Sequence, residues 1–170
     1  GGNAIDAAVA VGFALAVTLP RAGNLGGGGF MLIYSADSQE VSAIDYRSAA
    51  PVAATSEMYL TESGVVRFGH LVNAVPGSVA GLIKAHKEHG KLSLKEVLRP
   101  AIQLARKGFP VSYDLNYVLD WGKDSMLANN ASKKKFYNPK DKPLPVASIL
   151  KQPKLARTLN IIANKGDQSF

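Results

Sequence analysis

With 170 residues, 46% of them hydrophobic and 19% charged, the chain is long enough to bury roughly two-thirds of its unfolded surface in one domain. It contains no cysteine, which excludes disulfides, thiolate metal sites and a cysteine nucleophile but leaves the redox compartment open. The net charge of +7 would suit a polyanionic partner, yet Lys133, Lys134, Lys135, Lys140, Lys142, Lys151 and Lys154, opposed only by Asp141, account for +6 of it.

The first expected element is a helix from about Ala4 to Thr18, with Asn3 as its N-cap and Asp6 in the first turn, where a carboxylate favours the positive end of the helix dipole. Beyond Asp6 this helix has no polar face, so it is expected to be covered on all sides. Its uncharged stretch, Ala7 to Pro20, is shorter than the roughly 20 apolar residues a bilayer span needs. No basic segment precedes it, so neither a transmembrane helix nor a signal peptide is expected here.

Four glycines, Gly26 to Gly29, follow, and then Phe30 to Tyr34, a continuous apolar run that reads as a strand in a sheet covered on both faces. Ser35 to Gln39 suits a hairpin connection, and Glu40 to Arg47 the returning strand. After a turn region the chain becomes mostly helical. Pro76 to His89 places Val79, Leu82, Ile83 and His86 on one face and closes at Gly90. Ser93 to Lys107 opens on a capping box, Ser93 with Glu96, and stripes Leu94, Val97, Leu98, Ala101, Ile102 and Ala105 along one side, with a kink expected at Pro100. Ser112 to Leu127 and Lys154 to Asn164 are further one-sided helices. Residues 131 to 153, with Pro139, Pro143, Pro145 and Pro153, are expected to form an irregular surface excursion. Helices flanking a sheet suggest a layered α/β (α+β) sandwich.

The glycine run does not suit phosphate binding. A dinucleotide site needs strand, glycine turn, then helix, whereas the order here is helix, glycines, strand. A P-loop needs Lys followed by Ser or Thr after its last glycine, and Phe30 and Met31 stand there instead. The run reads as a place where helix and strand approach closely and where the turn uses positive φ angles.

The segment Asp45-Tyr46-Arg47 carries more chemistry. Asp45 and Arg47, two apart on a strand, share a face opposite Tyr46. At a cleft Arg47 would offer a rigid fork of donors to a carboxylate, with Asp45 as its orienting partner. Equally, the two could form a strand-end ion pair worth about 0 to 1 kcal/mol if exposed. His86 and His89, one helical turn apart, lack the third ligand a zinc site needs and read as solvated helix-end residues. The lysine-rich segment reads as a solvated loop, with polyanion binding as its functional alternative.

The stretches from Gly1 to Ile33 and from Ala43 to Pro51, together with Pro76 to Gly81 and Leu98 to Val111, resemble the γ-glutamyltransferase (γ-glutamyltranspeptidase, glutathione hydrolase) family in its large-subunit portion, and the likeness extends over essentially the whole chain. It implies an N-terminal nucleophile hydrolase with an αββα sandwich, of which residues 1 to 170 form a single large-subunit portion. It also implies a precursor that cuts itself in two. The N-terminal threonine of the separate small subunit then attacks γ-glutamyl amides such as glutathione, its own α-amine acting as base. The acyl-enzyme passes to water or to an amino acid or peptide acceptor.

On that reading this chain holds no catalytic residue and is inactive alone. Arg47 matches the family's arginine that grips the α-carboxylate of the glutamyl group. Asp45 as its partner rests on strand geometry. The resemblance implies no metal and no organic cofactor, a small subunit as partner, no nucleic acid, and a periplasmic or extracellular location. The alternatives are a related acylase acting on glutaryl β-lactams and a non-enzymatic polyanion-binding module.

Overall fold

The computed structural model describes residues 1–61, 64, 65 and 69–169. Its first helix, α1 (Ala4–Thr18), carries a complete capping box: the Asn3 side chain accepts from the Ile5 and Asp6 amides, and the Asp6 carboxylate accepts from the Asn3 amide. Four helices stack side by side. α1 packs against α2 (Ser78–His89) and α3 (Leu94–Lys107), and α3 packs in turn against α7 (Pro153–Lys165). Val9, Phe13, Val17, Ile83, Leu98, Leu159 and Ile162 fill the space between them and are almost wholly buried.

α3 begins with the expected box between Ser93 and Glu96 and buries Val97, Leu98, Ala101 and Ala105. It runs on through Pro100, which lies on the exposed side. The helix ends at Gly108, whose φ of 94° is left-handed, and a Cβ there would come within 2.5 Å of Ile149 Cγ2. Both constraints call for glycine.

Against the helices lies an antiparallel hairpin, β1 (Phe30–Ser35) with β2 (Glu40–Asp45), in a register that pairs Phe30 with Asp45 and Ser35 with Glu40. Its inner face carries Met31, Ile33, Ser42 and Ile44. The outer face, with Phe30 (69% exposed), Leu32 (76%), Tyr34 (63%) and Val41, has no cover among the described residues. The expectation of a sheet buried on both sides is therefore met on one side only. α1 departs from expectation likewise: Ala4, Ala7, Ala8, Val11 and Leu15 are exposed, so one side of the helix is bare. Apolar patterning records that a face needs burial and leaves open which polypeptide supplies the cover.

The remaining elements are short. β3 (Leu60–Thr61) pairs with β4 (Gly64–Val65), and β5 (Phe109–Pro110) with β6 (Ile149–Leu150). The expected helix from Ser112 to Leu127 is divided at Gly122 into α4 (Tyr113–Trp121) and α5 (Lys123–Leu127). The lysine-rich excursion is less irregular than its prolines suggest. α6 (Asn130–Phe136), capped by Asn129, contains Lys133, Lys134 and Lys135. Tyr137 then turns inward, and its hydroxyl donates to the Leu119 carbonyl at 2.5 Å. Among the described residues no helix is long and apolar enough to cross a membrane.

Candidate active-site segment

β2 ends at Asp45, but its path continues for one more residue, because Gly29 and Tyr46 exchange backbone hydrogen bonds, 3.2 Å from the Gly29 amide and 3.0 Å from the Tyr46 amide. Inward and outward alternation persists: Ile44 is buried, Asp45 exposed, Tyr46 half-buried and Arg47 exposed. Beyond Arg47 the chain is held again, by a bridge in which Ala49 and Val75 donate to each other's carbonyls at 3.1 and 2.8 Å. Arg47 thus sits between two fastened points with its side chain in solvent.

Asp45 does not meet the Arg47 guanidinium. Its Oδ1 accepts the Arg47 backbone amide at 2.8 Å. This is the local side-chain-to-backbone bond by which Asp competes with regular structure, and it explains why the strand stops there. Asp45 bonds to the main chain of Arg47, and the expected ion pair is absent: among the described residues no carboxylate lies within ion-pair reach of the guanidinium. An exposed guanidinium on a fixed backbone without an internal anion is suited to receiving one from outside.

The glycines explain the rigidity. A Cβ on Gly28 would lie 2.3 Å from Ser48 N and 2.6 Å from Tyr46 O, and one on Gly77 would lie 2.1 Å from Tyr46 O. The Gly77 and Ser78 amides donate to Gly27 O at 2.8 and 3.0 Å, joining the two glycine segments to each other. The run is a close-packing element, as expected, but none of Gly26 to Gly29 adopts a positive φ, so close approach alone accounts for the glycines. What sequence reasoning missed was the partner, Tyr46 to Ser48, and the share taken by Gly77 and Gly81. The available signal was their spacing, since glycines four apart at a helix start leave one bare face for a neighbour to approach.

The histidines have structural partners. His86, mostly buried, donates Nε2–H to Leu92 O at 2.8 Å, and the same nitrogen stands 3.8 Å from Asp6 Oδ1. His89 accepts the Asn3 side-chain amide on its carbonyl at 2.6 Å. The expectation of a solvated helix end is corrected for His86. Asp6 is the centre of this clasp between α1 and the α2–α3 turn, accepting the Asn3, Lys91 and Leu92 amides. Burial pushes its pKa up, but those amides, with His86 nearby, outweigh burial and hold it below its ordinary value. Among the described residues no three His, Cys, Asp or Glu side chains converge as a metal site.

In the lysine-rich segment Lys133 pairs with Asp141 at 2.8 Å and Lys135 donates to Lys151 O at 3.0 Å. Lys134, Lys135 and Lys154 border a concavity of about 520 Å³ between α6 and the start of α7.

Helices layered on a sheet whose outer face is bare, with an arginine presented at the strand end, define one part of an N-terminal nucleophile hydrolase sandwich of α+β class. The chain belongs to the gamma-glutamyltranspeptidase family, which matches it over residues 1–170. It is 43% identical to the glutathione hydrolase proenzyme of Escherichia coli (strain K12), a likeness covering all of this chain and 30% of that protein. The gamma-glutamyltranspeptidase of Helicobacter pylori superimposes with a TM-score of 0.94 at 41% identity, over all of this chain and 50% of that one. A cephalosporin acylase from Bacillus halodurans superimposes with a TM-score of 0.88 at 28% identity, over all of this chain and 33% of that one. The chain thus spans about a third of the curated relative it matches.

Proposed function

We propose that this chain is the carboxylate-recognising portion of an enzyme that hydrolyses and transfers the γ-glutamyl group of glutathione and related amides. The observation that carries the reading is the Arg47 guanidinium, exposed and without a carboxylate partner among the described residues, on a backbone fastened at Tyr46 and Ala49. Two parallel N–H donors would take the substrate α-carboxylate in a bidentate grip, which fixes the glutamyl group in distance and in rotation. Held at that end, the γ-amide carbonyl is presented to a nucleophile at constant geometry, converting binding energy into orientation.

The nucleophile, on this reading, is the N-terminal threonine of a separate subunit cut from the same precursor. Its hydroxyl adds to the γ-carbonyl, its α-amine takes the proton and returns it to the leaving amine, and water or an acceptor amine then displaces the enzyme from the ester. The bare outer face of β1 and β2 and the bare stripe of α1 support a further layer contributed by that remaining polypeptide. The likeness to a cephalosporin acylase favours a second reading, an acylase for glutaryl amides, in which the same guanidinium would hold the distal carboxylate. Turnover of γ-glutamyl-p-nitroanilide against glutaryl-p-nitroanilide by the complete enzyme separates them, because only the former carries an α-amine. A preference for the glutaryl substrate would overturn the γ-glutamyl assignment.

A further inference from the structure

Tyr46 lies next to Arg47, points the other way, and is enclosed by glycine. A Cβ on Gly81, inside α2, would fall 2.1 Å from Tyr46 Cγ, 2.2 Å from its Cβ and 2.6 Å from its Cδ1. One on Gly29 would fall 2.9 to 3.0 Å from the far edge of the same ring, at Cε2, Cζ and the hydroxyl oxygen. With Gly28 and Gly77 against the Tyr46 carbonyl, four glycines from two separate segments grip one residue by both ring and main chain. Distances under 3 Å leave no room for even a methyl group, and packing this close tolerates little displacement.

What the glycines supply here is close approach, since each lacks the Cβ that would collide with Tyr46. The ring is seated inward while the neighbouring guanidinium faces solvent. Among the described residues, moreover, the main chain of Tyr46 is secured there by two bonds, both to Gly29. We infer that Tyr46 and Gly81 are positioning residues for substrate binding: the ring seated on the bare start of α2 sets the main-chain angle from which Arg47 projects. This inference rests on the reading of Arg47 as the carboxylate anchor. It assigns to α2 a part in substrate affinity through Gly81, a residue with no side chain of its own.

A double-mutant cycle in the complete mature enzyme tests it, with γ-glutamyl-p-nitroanilide as donor. Gly81→Ala forces the ring off α2 and is expected to raise KM about tenfold, with kcat reduced by less than about threefold. In an Arg47→Ala background the same substitution is expected to leave KM within about twofold, because the residue through which it acts is gone. If Gly81→Ala yields no mature enzyme, Tyr46→Leu, which keeps an apolar side chain on α2 but loses the ring seat at Gly29, is put through the same cycle with the same expectation. A KM unchanged by the substitution, or raised equally with and without Arg47, overturns the positioning role. Failure of the underlying reading is distinguishable, since Arg47→Ala alone would then leave KM unchanged.

Discussion

Replacing Arg47 by alanine should separate substrate affinity from stability cleanly. The side chain is exposed and pairs with no carboxylate among the described residues, and the bond to Asp45 is made by the backbone amide, which alanine retains. Truncation therefore removes no core contact and strands no buried charge, so stability should change by no more than about 0.5 kcal/mol. Binding should change far more. A hydrogen bond to a charged partner contributes about 1.5 to 3 kcal/mol net, and 1.36 kcal/mol is a factor of ten. The expected loss in kcat/KM is thus about 13- to 160-fold, carried mainly by KM, because the contact is made in ground state and transition state alike. Arg47→Lys keeps the charge but loses the fork and should fall between the two. Initial rates on γ-glutamyl-p-nitroanilide, below and above saturation, measure both parameters. Equal kcat/KM in wild type and Arg47→Ala would refute the reasoning, as would a loss confined to kcat.

Asp6 makes a prediction about acid. Its pKa is held below the ordinary 3.8, so its contribution to stability is present above that pH and fades as pH falls through the lower folded-state value. Asp6→Asn should be less stable than wild type at neutral pH, with the gap closing below about pH 3.8; a gap independent of pH in denaturation midpoints would contradict this. Leu98 is fully buried, and Leu98→Ala should cost about 2 to 5 kcal/mol in urea unfolding; a loss under 1 kcal/mol would mean that α3 is not central to the core. The Tyr137 hydroxyl is buried against Leu119 O, so Tyr137→Phe should cost about 0.5 to 1.5 kcal/mol, and an unchanged unfolding midpoint would show the bond to be dispensable.

The helices were legible because their ends are written in side chains. Asn3 with Asp6 and Ser93 with Glu96 both close capping boxes, and the apolar stripe of α3 repeats at helical spacing. The hairpin followed from an apolar run, a polar gap and a second run. Illegible were features decided by distant partners. α6 is a seven-residue helix among prolines, held by Asn129 and by the seating of Tyr137 against α4, and neither stands out in a basic, proline-rich stretch. The cover missing from β1, β2 and α1 could not be read from apolar content alone. At the candidate site the Asp45-Tyr46-Arg47 segment singled out Arg47 as a candidate, and the structure places its side chain in solvent. The bonding partner of Asp45 was not legible, because a strand-end carboxylate can choose between a guanidinium and a backbone amide, and here it takes the amide. That Tyr46 lies on Gly81 depends on the folding back of α2, which local sequence does not encode.

The most direct test of the central claim is a crystal structure of the complete mature enzyme with glutamate bound. The account predicts both α-carboxylate oxygens about 2.7 to 2.9 Å from the Arg47 guanidinium nitrogens, with the Tyr46 ring still seated on Gly81. A carboxylate held by other groups, with the Arg47 guanidinium turned away or paired to a protein acid, would contradict it.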